Sequence, residues 1–313
     1  MSPLEPRGKP ARRPTGSGGR GGSVDVILHV GAHRCATTSF QSYLRRNTPV
    51  LARQGIGFWG PIRTRGGLLR GVIPRPALGQ GPAILAAAAD RIGAHLERCA
   101  RRGVKTLIVS DENIVGSMRD NRMDADLYLR AGDRVASHVS AFGGNVMAVV
   151  LNIRALDRYW ASALGYGVGR GLGLPGPVTL AAIASLSRGW RGVIEEIAQA
   201  AGGATVLVAP FECFAGRADA QLRAIAQCDA PFDHAGEWKN ETPDLSRLRR
   251  RLDAREAAEL PESEGRWNPF SDEQAALLRQ RHDEDLRWLA AGADGLARLL
   301  DETDAGLPGE DRA

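Results

Sequence analysis

The stretch Gly31-Ala32-His33-Arg34-Cys35-Ala36-Thr37-Thr38-Ser39 sets small residues, one arginine and a run of hydroxyls directly behind an apolar, β-branched segment. A turn of that composition opening a helix leaves backbone amides free at the positive end of the helix dipole, an arrangement that binds anions. Arg34 adds a planar guanidinium for phosphate oxygens, and Thr37 and Thr38 add hydroxyls in the first turn. An ordinary strand-to-helix turn with a threonine N-cap is the alternative. The Walker A spacing G-x-x-x-x-G-K-[ST] is absent. Farther along, Arg154 follows an apolar run ending at Ile153, and Ser162 lies off the apolar stripe Leu156, Tyr159, Trp160, Ala163, Leu164. A strand-end arginine and an outward-facing serine can both reach an anion held over a sheet; a solvated arginine and a surface serine are the alternative. Between the two comes Ser110-Asp111-Glu112-Asn113, whose adjacent carboxylates suit either proton abstraction or the capping of a helix. His33 is a further candidate base, because its neighbour Arg34 depresses its pKa and favours the neutral form.

For these residues to meet, three strand ends must converge. Apolar runs at 24–30, 106–109, 146–151 and 205–208, with a shorter one at 56–59, have the pattern of strands buried in a parallel sheet, and helical patterns separate them. They predict an α/β fold, a parallel central sheet flanked by helices, with ligands beyond the strands' carboxyl ends. Phe40, Tyr43, Leu44 and Leu51 predict one helix from Thr37, closed by Gly55. Leu277, Leu278, Leu286, Leu289, Leu296, Leu299 and Leu300 predict that 240–303 is mainly helical. Residues 1–23, rich in Gly, Pro and Arg, predict a flexible tail, and 304–313 a frayed acidic one, leaving 24–303 as a single domain.

Composition narrows the function. Across 313 residues, 43% hydrophobic and 25% charged content excludes a wholly disordered chain. The net charge of +5 is unevenly spread: residues 26–89 hold eight arginines and no acid. Such a region focuses small anions, and without interleaved aromatics no nucleic-acid partner is expected. Four cysteines without a C-x-x-C pair and six histidines without a clustered motif lead to reduced thiols and no metal site. The longest uncharged apolar runs, 83–89 and 146–151, fall far below the roughly 20 residues a membrane span needs. With no apolar segment of a secretory signal, a cytoplasmic protein is expected.

The stretch from His29 to Gly55 with Gly57-Phe58 resembles the donor-binding start of the sulfotransferases that use 3'-phosphoadenosine 5'-phosphosulfate (PAPS). That family's loop has the form G-x-x-[KR]-[TS]-G-T-[TS]: Arg34 takes the basic place, Thr37 and Thr38 match, and Cys35 and Ala36 replace the usual hydroxyl residue and glycine. Arg154 followed by Ser162 is similar to the family's pair for the donor's 3'-phosphate. The resemblance covers about residues 24–215, and the helical part beyond looks like bacterial members. It implies a P-loop NTPase-like sulfotransferase fold and transfer of a sulfuryl group from PAPS to a hydroxyl or amine of a small-molecule or carbohydrate acceptor, without a metal. It further implies that Arg34, Cys35, Ala36, Thr37, Thr38, Arg154 and Ser162 bind the donor, with Glu112 as base and Asp111 in reserve, and that Cys35 is a small loop residue. A nucleotide-binding protein that has lost transfer, and a P-loop kinase, are the alternatives. The acceptor pocket falls to loops 61–80 and 170–177, where Arg63, Arg65, Arg70 and Arg75 either meet an anionic sugar or are solvated. Gly236-Glu237-Trp238-Lys239-Asn240 superficially resembles another donor-binding segment but lacks its basic-glycine lead-in and is set aside.

Overall fold

Strands that are apolar on both faces need helices on both sides, and parallel neighbours need crossovers to carry the chain back. The structure, a computed structural model, describes residues 23–73, 81–301 and 303–304. The predicted tails, apart from residues 23 and 304, and the loop part 74–80 with Arg75 lie outside the described residues. Six strands form one sheet: β1 Asp25–Gly31, β2 Ile56–Trp59, β3 Thr106–Ser110, β4 Val146–Ile153, β5 Thr205–Pro210 and β6 Arg298–Leu299, in the order β2-β3-β1-β4-β5-β6. Every neighbouring pair is parallel.

Alternation along the strands divides the core into two layers. Val26 and Leu28 of β1 and Val149 of β4 face α3 (Pro82–Arg101), α4 (Ala131–Ala141), α5 (Leu156–Gly169), α6 (Trp190–Ala200) and α8 (Asp272–Ala290) through Ile92, Val135, Leu164, Ile194 and Leu278. Ile27, Ile108 and Val150 face α1 (Thr37–Arg46), α2 (Thr48–Arg53) and α7 (Ala218–Ala226) through Phe40, Leu51 and Leu222. Leaving β1 the chain moves to one side of the sheet, and leaving β4 it moves to the other, so a crevice opens beyond their carboxyl ends.

Two expectations are corrected. The single helix predicted from Thr37 is two, α1 and α2, joined at Asn47, because Pro49 has no amide to continue the ladder. Thr48 Oγ1 donates instead to the carbonyls of Leu44 (3.1 Å) and Arg45 (2.9 Å). The leucines at 296–300 are not helical: Gly292 and Gly295 adopt positive φ, and β6 adds to the open edge of β5, with the Leu300 amide donating to Val208 O at 2.8 Å.

The carboxyl ends of β1, β3 and β4 are tied together by one buried imidazole. His29, opposite Ser110 in register, accepts at Nδ1 from Ser110 Oγ (2.6 Å) and donates from Nε2 to Asn152 Oδ1 (2.9 Å). Gln41 of α1 donates to Ser110 Oγ (3.2 Å), and Gln221 of α7 donates to Asn152 Oδ1 (2.9 Å). A proton on Nδ1 would face the hydroxyl that now donates to it, and burial lowers the pKa to about 4, against the opposing bond to Asn152. Burial likewise lowers His138 to about 4.

Both folded values lie below the 6.5 of the unfolded chain, so between pH 6.5 and 4 the unfolded state binds more protons and stability is lost as pH falls. Each of the two histidines steepens that decline by about 1.4 kcal/mol per pH unit. Below pH 6, Asp285 opposes one of them, because burial pushes its carboxyl up to about 6. Denaturant unfolding at pH 7, 6 and 5 is therefore expected to show falling stability, with a slope shallower by about one proton in His29→Gln. An unchanged slope in that variant would remove His29 from the account.

Candidate functional site

Glycine is required at the end of β1. Gly31 has φ +105°, and a Cβ there would sit 2.9 Å from that of Glu112. The chain then turns through left-handed conformations at Arg34 (φ 62°) and Ala36 (φ 60°), and Ala36 stands at the N-cap of α1 without a side-chain cap. The threonine N-cap alternative is therefore not what forms. Among the described residues, the amides from Arg34 to Ser39 have no protein acceptor. They form a string of unspent donors at a helix N-terminus. Thr37, which is buried, and Thr38, which is half-buried, both line the cavity beside the loop, as does Ala36. Cys35 is fully buried, and burial pushes its thiol up to about 12, so it stays protonated and inert at neutral pH.

Arg34 and Ser162 are in direct contact. Arg34 Nε donates to Ser162 Oγ (3.1 Å) and Nη2 to Thr242 Oγ1 (3.0 Å), while the two hydroxyls lie 2.7 Å apart. Ser162, expected to face outward, is buried under Thr242. Arg154 Nη1 donates to the Arg34 carbonyl (3.1 Å), its guanidinium lies 4.2 Å over the Phe211 ring, and its Nε has no partner. Arg34 lies 4.6 Å over Tyr166. Burial pulls both guanidinium pKa values down, that of Arg34 to about 10, leaving both charged. Among the described residues neither arginine has a carboxylate within ion-pair distance. Paired, hydrogen-bonded burial is the usual state of a charge, so two such cations beside free amides form an arrangement able to bind an anion.

At the end of β3 the adjacent carboxylates have different work. Asp111 accepts from Thr64 Oγ1 (2.5 Å), Arg65 Nη2 (2.7 Å) and the Asn113 amide (3.0 Å), and caps the short turn Glu112–Ile114. It lines a separate cavity with Thr64, Arg65 and His138 and not the one beside the loop. Glu112 does line it; Oε1 accepts from Arg65 Nη2 (2.8 Å) and Oε2 from Gln41 Nε2 (2.8 Å). Burial would raise its pKa, but the bonds from Arg65 and Gln41 outweigh that and lower it. His33 is neutral because burial, not Arg34, lowers its pKa, with Glu112 opposing and Arg65 adding to the effect. Both ring nitrogens are committed: Nδ1 accepts from Tyr128 OH (2.9 Å), which accepts from Tyr159 OH (3.1 Å), and Nε2 donates to Asn113 Oδ1 (3.2 Å). As a proton acceptor it is already occupied.

The residues missed from the sequence are Gln41, Tyr166 and Thr242, while Arg65, expected only at the acceptor, also clamps Asp111 and Glu112, and the segment at 238–240 is the one set aside for its missing lead-in. With Thr242, that segment closes the cavity through Trp238, Lys239 and Asn240, and the Lys239 amide donates to Ser39 Oγ at 2.9 Å. Its Trp-Lys-Asn run was the available signal. The resulting space has three parts. A narrow cavity of about 90 Å³ beside the loop shares Arg154, Ser162, Thr242 and Arg266 with one of about 360 Å³. On the other side it shares Thr38, Glu112, Tyr166, Lys239 and Asn240 with one of about 630 Å³. Among the described residues no cluster of three His, Cys, Asp or Glu could hold a metal, and no helix is long and apolar enough to cross a membrane. No family model matches the chain, and neither a curated protein nor a solved structure does.

An anion filling this site relieves two uncompensated cations, so binding and stability are coupled. Millimolar pyrophosphate is expected to raise the melting temperature of the wild type by several degrees. Arg154→Met is expected to begin no less stable in anion-free buffer and to gain little from pyrophosphate. Equal gains in both proteins would place the anion elsewhere.

Proposed function

We propose that the chain is a PAPS-dependent sulfotransferase of the P-loop-like α/β class. The observation that carries this is the convergence of unspent amides, Arg34, Arg154 and Ser162 on one cavity at the carboxyl edge of the sheet. The two half-motifs, far apart in the chain, are joined by the bond from Arg34 to Ser162. In this reading the amides of 34–39, the Thr38 hydroxyl and Arg34 take the 5'-phosphosulfate, while Arg154 and Ser162 hold the 3'-phosphate. The nucleotide extends into the 360 Å³ cavity, whose lining includes Trp267 and Asn268.

The acceptor enters from the 630 Å³ cavity, and Glu112, which faces both spaces, stands at their junction. An acceptor hydroxyl or amine attacks sulfur in line, the bond from sulfur to the bridging phosphate oxygen breaks, and the acceptor proton passes to Glu112. The leaving adenosine 3',5'-bisphosphate carries the new negative charge, which Arg34 and the loop amides stabilise. Lys239 faces both cavities and adds positive charge at the junction. One observation favours a second reading, nucleotide binding without transfer: Glu112 is tied at both oxygens and its pKa is lowered, which weakens it as a base.

Calorimetry with adenosine 3',5'-bisphosphate and adenosine 5'-monophosphate tests the donor assignment. Arg154→Ala is expected to weaken the bisphosphate by roughly 1.5–3 kcal/mol and the monophosphate far less; equal losses would move Arg154 off the 3'-phosphate. For chemistry, Glu112→Gln keeps the size and loses the basicity, so sulfuryl transfer is expected to fall roughly 10²- to 10⁴-fold with donor affinity retained. Asp111→Asn is expected to lower the melting temperature instead, by loosening the Thr64 and Arg65 contacts. Full turnover in folded Glu112→Gln would exclude it as the base.

A further inference from the structure

The 630 Å³ cavity has a charge pattern that its neighbour's role does not require. Four cations, Arg45, Arg63, Arg65 and Lys239, line it against one carboxylate, Glu112. Glu112 is already neutralised by Arg65 (2.8 Å), and Lys239 has Glu237 at 3.2 Å. That leaves Arg45, in the last turn of α1, and Arg63, neither of which has a carboxylate partner among the described residues. Arg63 spends one nitrogen on His95 Nδ1 (2.9 Å) and lies 4.9 Å over the Trp59 ring, contacts that orient a guanidinium without cancelling its charge. His95 cannot be charged in that bond, and its pKa is lowered by burial together with Arg98, Arg63 and Arg91.

This excess is the structural form of the acid-free stretch 26–89. It surrounds a space rather than a flat surface, where like charges at the rim reinforce one another within a Debye length of about 8 Å. One wall is apolar: Phe58 and Pro61 stand beside Ile62, which is 76% exposed. Tyr166, whose ring carries Arg34 at 4.6 Å and Arg170 at 5.3 Å, adds an aromatic edge on the side shared with the donor cavity.

We infer that the acceptor is a ring-bodied molecule bearing an anionic group, its ring against Phe58, Ile62 and Tyr166, its anion at Arg45 and Arg63, and its nucleophile toward Glu112. This rests on the sulfotransferase reading and adds the substrate class to it. A carboxylate and a sulfate ester share the chemistry these guanidiniums recognise, as planar or trigonal arrays of anionic oxygens.

The test compares three probes of one scaffold: nitrophenyl glucoside, nitrophenyl glucuronide, and the sulfate monoester of the glucoside. Their equilibrium binding to enzyme saturated with adenosine 3',5'-bisphosphate is measured first, and their sulfation by PAPS second. One or both anionic probes are expected to bind at least about 10-fold more tightly than the neutral one, an advantage that shrinks as salt is raised. The arm that binds more tightly identifies the anion. In Arg45→Ala/Arg63→Ala the ratio of anionic to neutral affinity is expected to fall toward one, while calorimetric affinity for the bisphosphate reports that the neighbouring cavity is intact. Equal affinities for the three probes in the wild type, or none measurable, overturn the inference. So does an anionic preference that survives in the double variant. Failure of the bisphosphate itself to bind the wild type overturns the sulfotransferase reading instead, so the two failures are told apart by the first titration.

Discussion

Everything at the carboxyl edge of the sheet depends on His29 finding partners for both ring nitrogens where water does not reach. The imidazole sits at the end of the central strand, between Ser110 of β3 and Asn152 of β4, and it is wholly buried. An unpaired nitrogen there would cost on the order of 1–3 kcal/mol, so the bonds to its neighbours hold three strand ends in one alignment. The loop after β1, the turn carrying Glu112 and the strand end carrying Arg154 are each attached to one of those ends. Gln41 carries the alignment into the site itself, since one amide nitrogen serves both Ser110 and Glu112.

Above that scaffold the chain holds positive charge in unfavourable surroundings. Arg34 and Arg154 keep their charge through carbonyl, hydroxyl and ring-face contacts, none of which supplies a negative charge. Such contacts fix direction more than they offset desolvation. Two cations in this state, beside amides with nothing to donate to, are the charge pattern on which the proposed binding of an anionic donor rests.

Glu112 stands in the opposite condition, an anion with more positive charge than it needs. Arg65 divides its guanidinium between Asp111 and Glu112 and so joins the capped turn to the cavity wall. The clamp keeps Glu112 ionised and aimed, at some loss of basicity. In the proposed reaction, an acceptor that drew Arg65 toward itself would return that basicity at the moment of use, which links the cationic rim of the acceptor cavity to proton transfer.

Local composition was enough to find the strands β1 to β5 and the small-residue turn that opens α1, because burial and turn chemistry are written in neighbouring residues. Choices between partners were not legible there. Whether Asp111 or Glu112 faces the cavity is decided by Thr64 and Arg65, more than forty residues away in the chain. Trp238 to Thr242 follow no helical or strand period, so only their contacts with Ser39, Ser162 and Arg34 bring them to the site. The leucines at 296–300 look helical by spacing, yet the open edge of β5 offers them backbone bonds that a glycine-broken helix cannot. In each case the deciding energy is a hydrogen bond or an ion pair formed across the fold, and such a bond exists only once both partners have been brought together.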